Sequence, residues 1–220
     1  PREHMPPHNL TLTVAGAALL WVGWFGFNAG SALAANGIAV SAFVATHLGA
    51  AGAALAWMIA EWIMVGKPTV LGVASGAVAG LVAITPASGY VGPLSSILIG
   101  VVAGALCFFA VRMKGRFGYD DALDVVGVHA VGGIWGALAT GLFATTLINS
   151  GGANGLFFGN PHQLAVQAIA VVASIVFSFI GSFALLKLTD AVVGIRVVDE
   201  GEQMGLDLSE HDENAYALEG

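Results

Sequence analysis

Three side chains combine polar or aromatic groups with apolar surroundings in a way that suits the binding of a small cation. Phe27 and Ser31 lie four residues apart, so both fall on one face of a helix. An aromatic ring attracts a cation through its quadrupole, and a hydroxyl oxygen accepts a hydrogen bond from it. His129 stands in the apolar stretch VVGVHAVGGIWGAL, where an imidazole needs hydrogen-bonding partners. We therefore predict a cation site at a mouth and a histidine along a permeation path.

A structural reading stays open for each feature. Trp21 and Trp24, which precede Phe27, could be aromatic belt residues at a membrane interface. His129 could be a core histidine bonded to a helix carbonyl. Among the other ionisable groups in apolar stretches, His47 lies on an Ala- and Gly-rich segment suited to packing.

Two carboxylates complete the set of ionisable groups close to apolar stretches. Glu61 lies near the end of its stretch and could simply reach the interface. Asp124 lies at the start of the His129 stretch, where an acid favours a helix N-terminus through the free amides and the dipole. Neither residue is assigned a ligand.

The elements that must position these residues are membrane helices. Hydrophobic residues make up 57% of the 220 and charged residues only 10%, which excludes an ordinary soluble domain. Cys107 is the single cysteine, so neither a disulfide framework nor a thiolate metal cluster is expected. The six histidines are scattered, and we expect no metal, no cofactor and no nucleic-acid partner.

Six stretches are long and apolar enough to cross a bilayer. They cover about 9–31, 37–63, 70–87, 93–112, 123–148 and 162–187. Glycines at four-residue spacing predict close helix packing within them. These are Gly72, Gly76 and Gly80, Gly100 with Gly104, and Gly132 with Gly136. The fold class is therefore all-α, a polytopic bundle of membrane-spanning helices in contact with lipid.

The positive charges predict the orientation of these helices. Lys and Arg in short loops stay on the cytoplasmic side. All seven lie in the segments that six crossings place on the same side: Arg2, Lys67, Arg112, Lys114, Arg116, Lys187 and Arg196. Both termini are thus predicted to be cytoplasmic, and the chain is predicted to lie in the plasma (inner) membrane. Eight of the fourteen acidic residues follow residue 198, so we divide the chain into a membrane domain, 1–198, and an acidic cytoplasmic tail, 199–220.

Several stretches closely resemble the Amt/Mep ammonium transporter family. They are GWFGFNAGS (23–31), DVVGVHAVGG (124–133), GKPTVLGVASGAVAGLVAITPASGYV (66–91) and GLDLSEHDENAY (205–216). The resemblance implies eleven helices per subunit, two inverted five-helix repeats and a last helix, in a trimer with one pore per subunit. The six segments here resemble the second repeat plus the last helix.

The resemblance also implies roles for individual residues. Phe27 matches the aromatic gate at the external mouth, and Ser31 the hydroxyl of the external ammonium site. His129 matches the second of two histidines lining a hydrophobic pore, and Asp124 the acid that starts that helix. Ammonium would be deprotonated on entry and pass as ammonia, and the acidic tail resembles the region that contacts PII signal proteins. The matching part lacks the family's first five helices, so this chain alone is not expected to conduct.

Two other classes of function are open from the residues. The first is an ammonium sensor or PII-binding scaffold without transport, which the acidic tail allows. The second is a rhomboid-like intramembrane protease using Ser75 and His129. Those proteases present a GxS motif, whereas Val73 stands two residues before Ser75, so a non-enzymatic protein is favoured.

Overall fold

The structure, a computed structural model, describes residues 6–214, and every regular element in that range is helical. The helices are α1 Leu10–Gly30, α2 Gly37–Val65, α3 Val70–Ile84, α4 Pro93–Phe117, α5 Val131–Phe143, α6 Pro161–Val193, α7 Asp199–Met204 and α8 Leu206–His211. Short 3₁₀ helices cover Thr85–Ala87 and Leu156–Phe158, and a π-helix covers Val126–Ala130. The predicted all-α fold class is confirmed.

Helix ends follow the capping chemistry of the sequence. The side chains of Asn9, Asn36 and Thr69 accept hydrogen bonds from the first backbone N–H groups of α1, α2 and α3. Gly66 and Gly118 end α2 and α4 with φ of 90° and 70°, a left-handed conformation that costs glycine little. Short polar and glycine-containing links are therefore enough to reverse the chain between spans.

Six helical segments are long and apolar enough to cross a membrane, as predicted. They are Leu10–Gly30, Gly37–Val65, Val70–Ala87, Pro93–Phe117, Val126–Phe143 and Pro161–Val193. The most apolar windows of the first and last contain no buried residue, although a polar residue of α1, Asn28, is buried close to its end. Large apolar side chains therefore cover the outside of these two helices, as expected of an integral membrane protein.

Glycines bring the backbones of α2, α3 and α4 into direct contact around the apolar core. A Cβ added at Gly80 of α3 would lie 2.5 Å from the carbonyl oxygen of Gly49 in α2. A Cβ at Gly100 of α4 would strike the backbone of the same Gly49, and one at Gly104 the backbone of Ala53. The backbone of α2 thus lies directly against both neighbours, which confirms the close packing predicted from the glycine spacing.

The fifth predicted helix, 123–148, is wrong in its extent. It begins as the π-helix and ends at Phe143, and Thr145 leaves it to donate its backbone N–H to the carbonyl of Tyr90 at 2.9 Å. The α3–α4 link therefore accepts the Thr145 N–H, which in a longer helix would bond to a carbonyl of the same helix. Conversely, α4 continues to Phe117, five residues beyond its predicted end at 112, and carries Lys114 and Arg116 in its last turn.

Two compact units divide the chain, one reaching Val171 and the other starting at Val172 within α6. In the second unit α7 begins at Asp199, and Arg196 pairs with the Glu202 carboxylate at 3.0 Å. The predicted division at 198/199 stays a prediction. Arg2 and the last two residues of the tail motif, 215–216, lie outside the described residues.

Candidate functional site

The first candidate region is the end of α1 around Phe27. The Phe27 side chain is 62% exposed and meets the Trp24 ring edge-on, with centroids 6.1 Å apart. Both rings line an apolar groove of about 510 Å³ along α1. An exposed π-face beside a groove is able to attract a cation and strip part of its water. The prediction of an aromatic mouth is therefore compatible with this geometry.

Ser31 directly follows α1, and its hydroxyl has a defined orientation. Oγ donates its proton to the carbonyl oxygen of Phe27 at 2.5 Å. Because the proton is used in this bond, the remaining lone pairs of Oγ can accept hydrogen bonds. The exposed Ser31 hydroxyl thus suits an N–H donor such as a protonated amine.

A buried polar network below the mouth fixes this end of α1. Nδ2 of Asn28 donates to Oγ1 of Thr46 at 2.9 Å and to Oγ of Ser88 at 3.2 Å. One turn earlier, Nε1 of Trp24 donates to Oγ1 of Thr85 at 2.7 Å. Asn28 is the only buried residue of α1 among those described. Sequence reasoning gave Asn28 no role, although a lone amide beside Phe27 in an apolar helix was a usable signal.

His129 lies in the π-helix and faces a different cavity, of about 410 Å³. His8, Thr13, Ser75 and Asp124 line the same cavity. The structure thus brings His129 together with hydroxyls and a carboxylate, but it places Phe27 in a separate groove and Ser31 in neither. Both spaces run along α1, since Thr13 borders one and Gly16 the other.

A third cavity, of about 650 Å³, is lined by four charged side chains, Glu61, Arg112, Lys114 and Asp124. Its lining includes Pro6 of the N-terminal segment, Thr69 of the α2–α3 link and Asp124 of the α4–α5 link, with Glu61 and Lys114 from the last turns of α2 and α4. Those are the described segments that the charge pattern assigns to a common side. The orientation of these segments in the membrane stays a prediction from the charge pattern.

Glu61 has a structural partner at this end. Its carboxylate accepts hydrogen bonds from the backbone N–H of Thr69 at 2.9 Å and from the Thr69 hydroxyl at 3.0 Å. The Thr69 hydroxyl oxygen in turn accepts the N–H of Gly72 at 2.9 Å. Glu61 therefore ties the end of α2 to the start of α3, in line with the structural reading of this residue.

The protease alternative depends on Ser75 and His129. Both line the 410 Å³ cavity, yet within residues 6–214 no hydrogen bond joins them. A serine nucleophile needs a base within hydrogen-bonding reach. Within the described residues, Ser75 and His129 thus lack the contact that acyl transfer requires.

Comparison with known proteins gives a consistent picture. The profile of the Ammonium Transporter Family matches residues 1–216. The ammonium transporter of Bacillus subtilis (strain 168) is 52% identical over 211 residues, covering 96% of this chain and 52% of that protein. The crystal structure of Candida albicans Mep2 superposes with a TM-score of 0.86 at 34% identity, over 100% of this chain and 52% of that one. A structure described as a sensor Amt protein gives 0.83 at 31% identity, over 93% and 50%.

The chain thus spans about half the length of the relatives it matches. The match nevertheless extends over nearly all of it and includes the segments that carry Phe27, Ser31 and His129. The named relatives are transporters, which agrees with a non-enzymatic protein. This chain belongs to the Ammonium Transporter Family.

Proposed function

We propose that this chain forms one wall of a transmembrane pathway for ammonium and ammonia. The observation that carries the proposal is the arrangement along α1, with Phe27 and Ser31 at one end and the His129 cavity bordering the same helix. Family membership gives the substrate class. The two polar sites are separated by an apolar groove, which favours a neutral molecule between them.

The proposed path begins at the external mouth. Ammonium approaches the Phe27 ring, and one of its N–H groups donates to the Ser31 lone pairs that the Phe27 carbonyl leaves free. Deprotonation on entry produces ammonia, and the proton crosses separately or returns. His129, when neutral, offers one donor and one acceptor, which complement the lone pair and N–H groups of ammonia. The opposite wall would complete both sites.

Ammonium-evoked currents of the complete pore in proteoliposomes test this proposal. Phe27→Ala should raise the half-saturating ammonium concentration by about two- to thirtyfold, the equivalent of one lost cation–π contact. His129→Ala should change the maximal current by about tenfold or more, because it removes the hydrogen-bonding group of the path.

Matched controls are available on α6. Phe177→Ala removes an 81% exposed ring, and His162→Ala removes an exposed imidazole near the start of that helix. Both should leave the current unchanged. Wild-type currents in Phe27→Ala and His129→Ala would contradict the proposed path.

The membrane topology and the oligomeric state form part of the same proposal. We place both termini in the cytoplasm and the chain in the plasma (inner) membrane, as part of a homotrimer. His47 on α2 is exposed on the surface of the chain, with its ring 5.5 Å from that of Trp21. Polar groups facing lipid are costly, so a protein neighbour at this surface is favoured. Native mass spectrometry of the complete pore checks the trimer.

A second candidate is an ammonium sensor or a scaffold for a PII signal protein. It is supported by the similarity to the structure described as a sensor Amt protein and by the acidic tail. Such a protein would bind ammonium or PII yet give no ammonium-evoked current in the complete assembly. The current measurement therefore separates the two candidates.

A further inference from the structure

The segment before His129 departs from α-helical geometry. Residues Val126–Ala130 form a π-helix, and Asp124, just before it, has φ of 57°. A left-handed conformation is unfavourable for a residue other than glycine, and π-turns are rare and concentrate at functional sites. Such a segment persists only when its surroundings hold it.

Lys114 of α4 holds this turn at two points. Nζ donates to the backbone carbonyl oxygen of Asp121 at 2.7 Å and forms an ion pair with Oδ1 of Asp124. The Asp121 carboxylate in turn accepts the backbone N–H groups of Val125 at 2.9 Å and Val126 at 2.8 Å. The Lys114 side chain thus binds both Asp124 and Asp121, and the Asp121 carboxylate caps the amides of Val125 and Val126 where the π-helix begins.

The same face of α4 continues this contact toward His129. A Cβ at Gly127 would lie 2.6 Å from Cγ2 of Val111, so the π-helix lies directly on α4 there. Sγ of Cys107 reaches the carbonyl oxygen of Val128 at 3.7 Å. Cys107, Val111 and Lys114 follow the i, i+4, i+7 spacing of one helix face. This face sets the register of the residues immediately before His129.

We propose that Lys114 is a positioning residue for His129. Its bonds to Asp121 and Asp124 keep the π-helix in the register that directs His129 into the cavity it shares with Thr13 and Ser75. Without the positively charged Lys114 side chain, the left-handed turn at Asp124 loses the group that holds it. The segment can then relax toward an ordinary α-helical start. The inference rests on the proposed role of His129 in the pathway.

The test uses the purified chain in lipid and two measurements. Hydrogen exchange is read by mass spectrometry, and the His129 ring is followed by NMR of isotope-labelled histidine. In Lys114→Met, amide exchange across 121–130 should rise by about five- to tenfold and the His129 ring resonances should move or broaden. Lys114→Arg, which keeps a cation able to reach both oxygens, should leave the amide exchange and the His129 ring signals as in the wild type. Arg116→Met, an exposed neighbour on α4, should leave both unchanged.

The second variant, Asp124→Asn, keeps Lys114 and removes only its charged partner, so it should raise exchange in the same segment even if Lys114→Met fails to fold. Exchange in α2 should stay at the wild-type rate in every variant. The proposal is wrong if Lys114→Met shows wild-type exchange and ring signals. If Lys114→Met does not fold, the same result in Asp124→Asn would overturn it. An increase in exchange spread evenly over the chain would also overturn it. Neither readout involves conduction, so the result stands apart from the outcome of the current measurements.

Discussion

At the scale of single residues, hydrogen bonds among polar side chains hold the end of α1 that carries Phe27. The hydroxyls of Thr46 and Ser88 donate to the carbonyls of Ala42 and Ile84 within their own chain segments. Their lone pairs then accept the two N–H groups of Asn28. Asn28 is therefore held by groups that need no rearrangement, and this fixes the rotation of α1 that presents Phe27.

We expect Asn28→Ala to lower the free energy of unfolding by about 1–2 kcal/mol, because the substitution removes both hydrogen bonds of a buried amide. Equilibrium unfolding of the chain in mixed micelles measures this. Thr46→Val removes the same contact from the other side. The double variant should therefore cost less than the sum of the two single variants, whereas strict additivity would contradict a direct bond.

The residue scale also shows which parts of the site were predictable from sequence. Phe27, Ser31 and His129 could be singled out because a ring, a hydroxyl and an imidazole in apolar stretches are unusual. The partners of Asn28 could not, since Thr46 and Ser88 are 18 and 60 residues away along the chain. Their meeting depends on how α1, α2 and the end of α3 pack, which no local pattern specifies.

At the scale of elements, the helices and their contacts were largely predictable and their irregularities were not. Glycine spacing in α3 and α4 indicated close approach, and the backbone of Gly49 indeed lies between Gly80 and Gly100. The π-helix at 126–130 gave no such signal. It depends on a lysine in the preceding helix and on a left-handed Asp124, both of which are tertiary effects.

Gly100→Ala should destabilise the chain by about 1–3 kcal/mol or more, because the added methyl meets the backbone of Gly49, which cannot move aside. Gly115→Ala on the same helix is the matched control, since nothing lies within 4 Å of its added Cβ. That change should be neutral or stabilise by up to about 1 kcal/mol through helix propensity. Equal effects of the two substitutions in the same unfolding assay would refute the packing argument.

At the scale of the whole molecule, the open groove at Phe27 and the cavity at His129 indicate that another wall is needed for conduction. The charge pattern predicts one orientation for all copies of this chain, and on that prediction a second copy does not supply the wall of opposite topology that an inverted repeat requires. The chain alone in proteoliposomes should therefore give no ammonium-evoked current.

A chimera tests this directly. The five-helix segment that the family resemblance places before this chain, taken from the Bacillus subtilis ammonium transporter, should restore a current when fused ahead of it, because the relative is 52% identical over the shared region. The same chimera carrying His129→Ala should lose or strongly alter that current. A His129-dependent current from the isolated chain would instead mean that six helices suffice, whether by a rearranged copy or by a path within one chain.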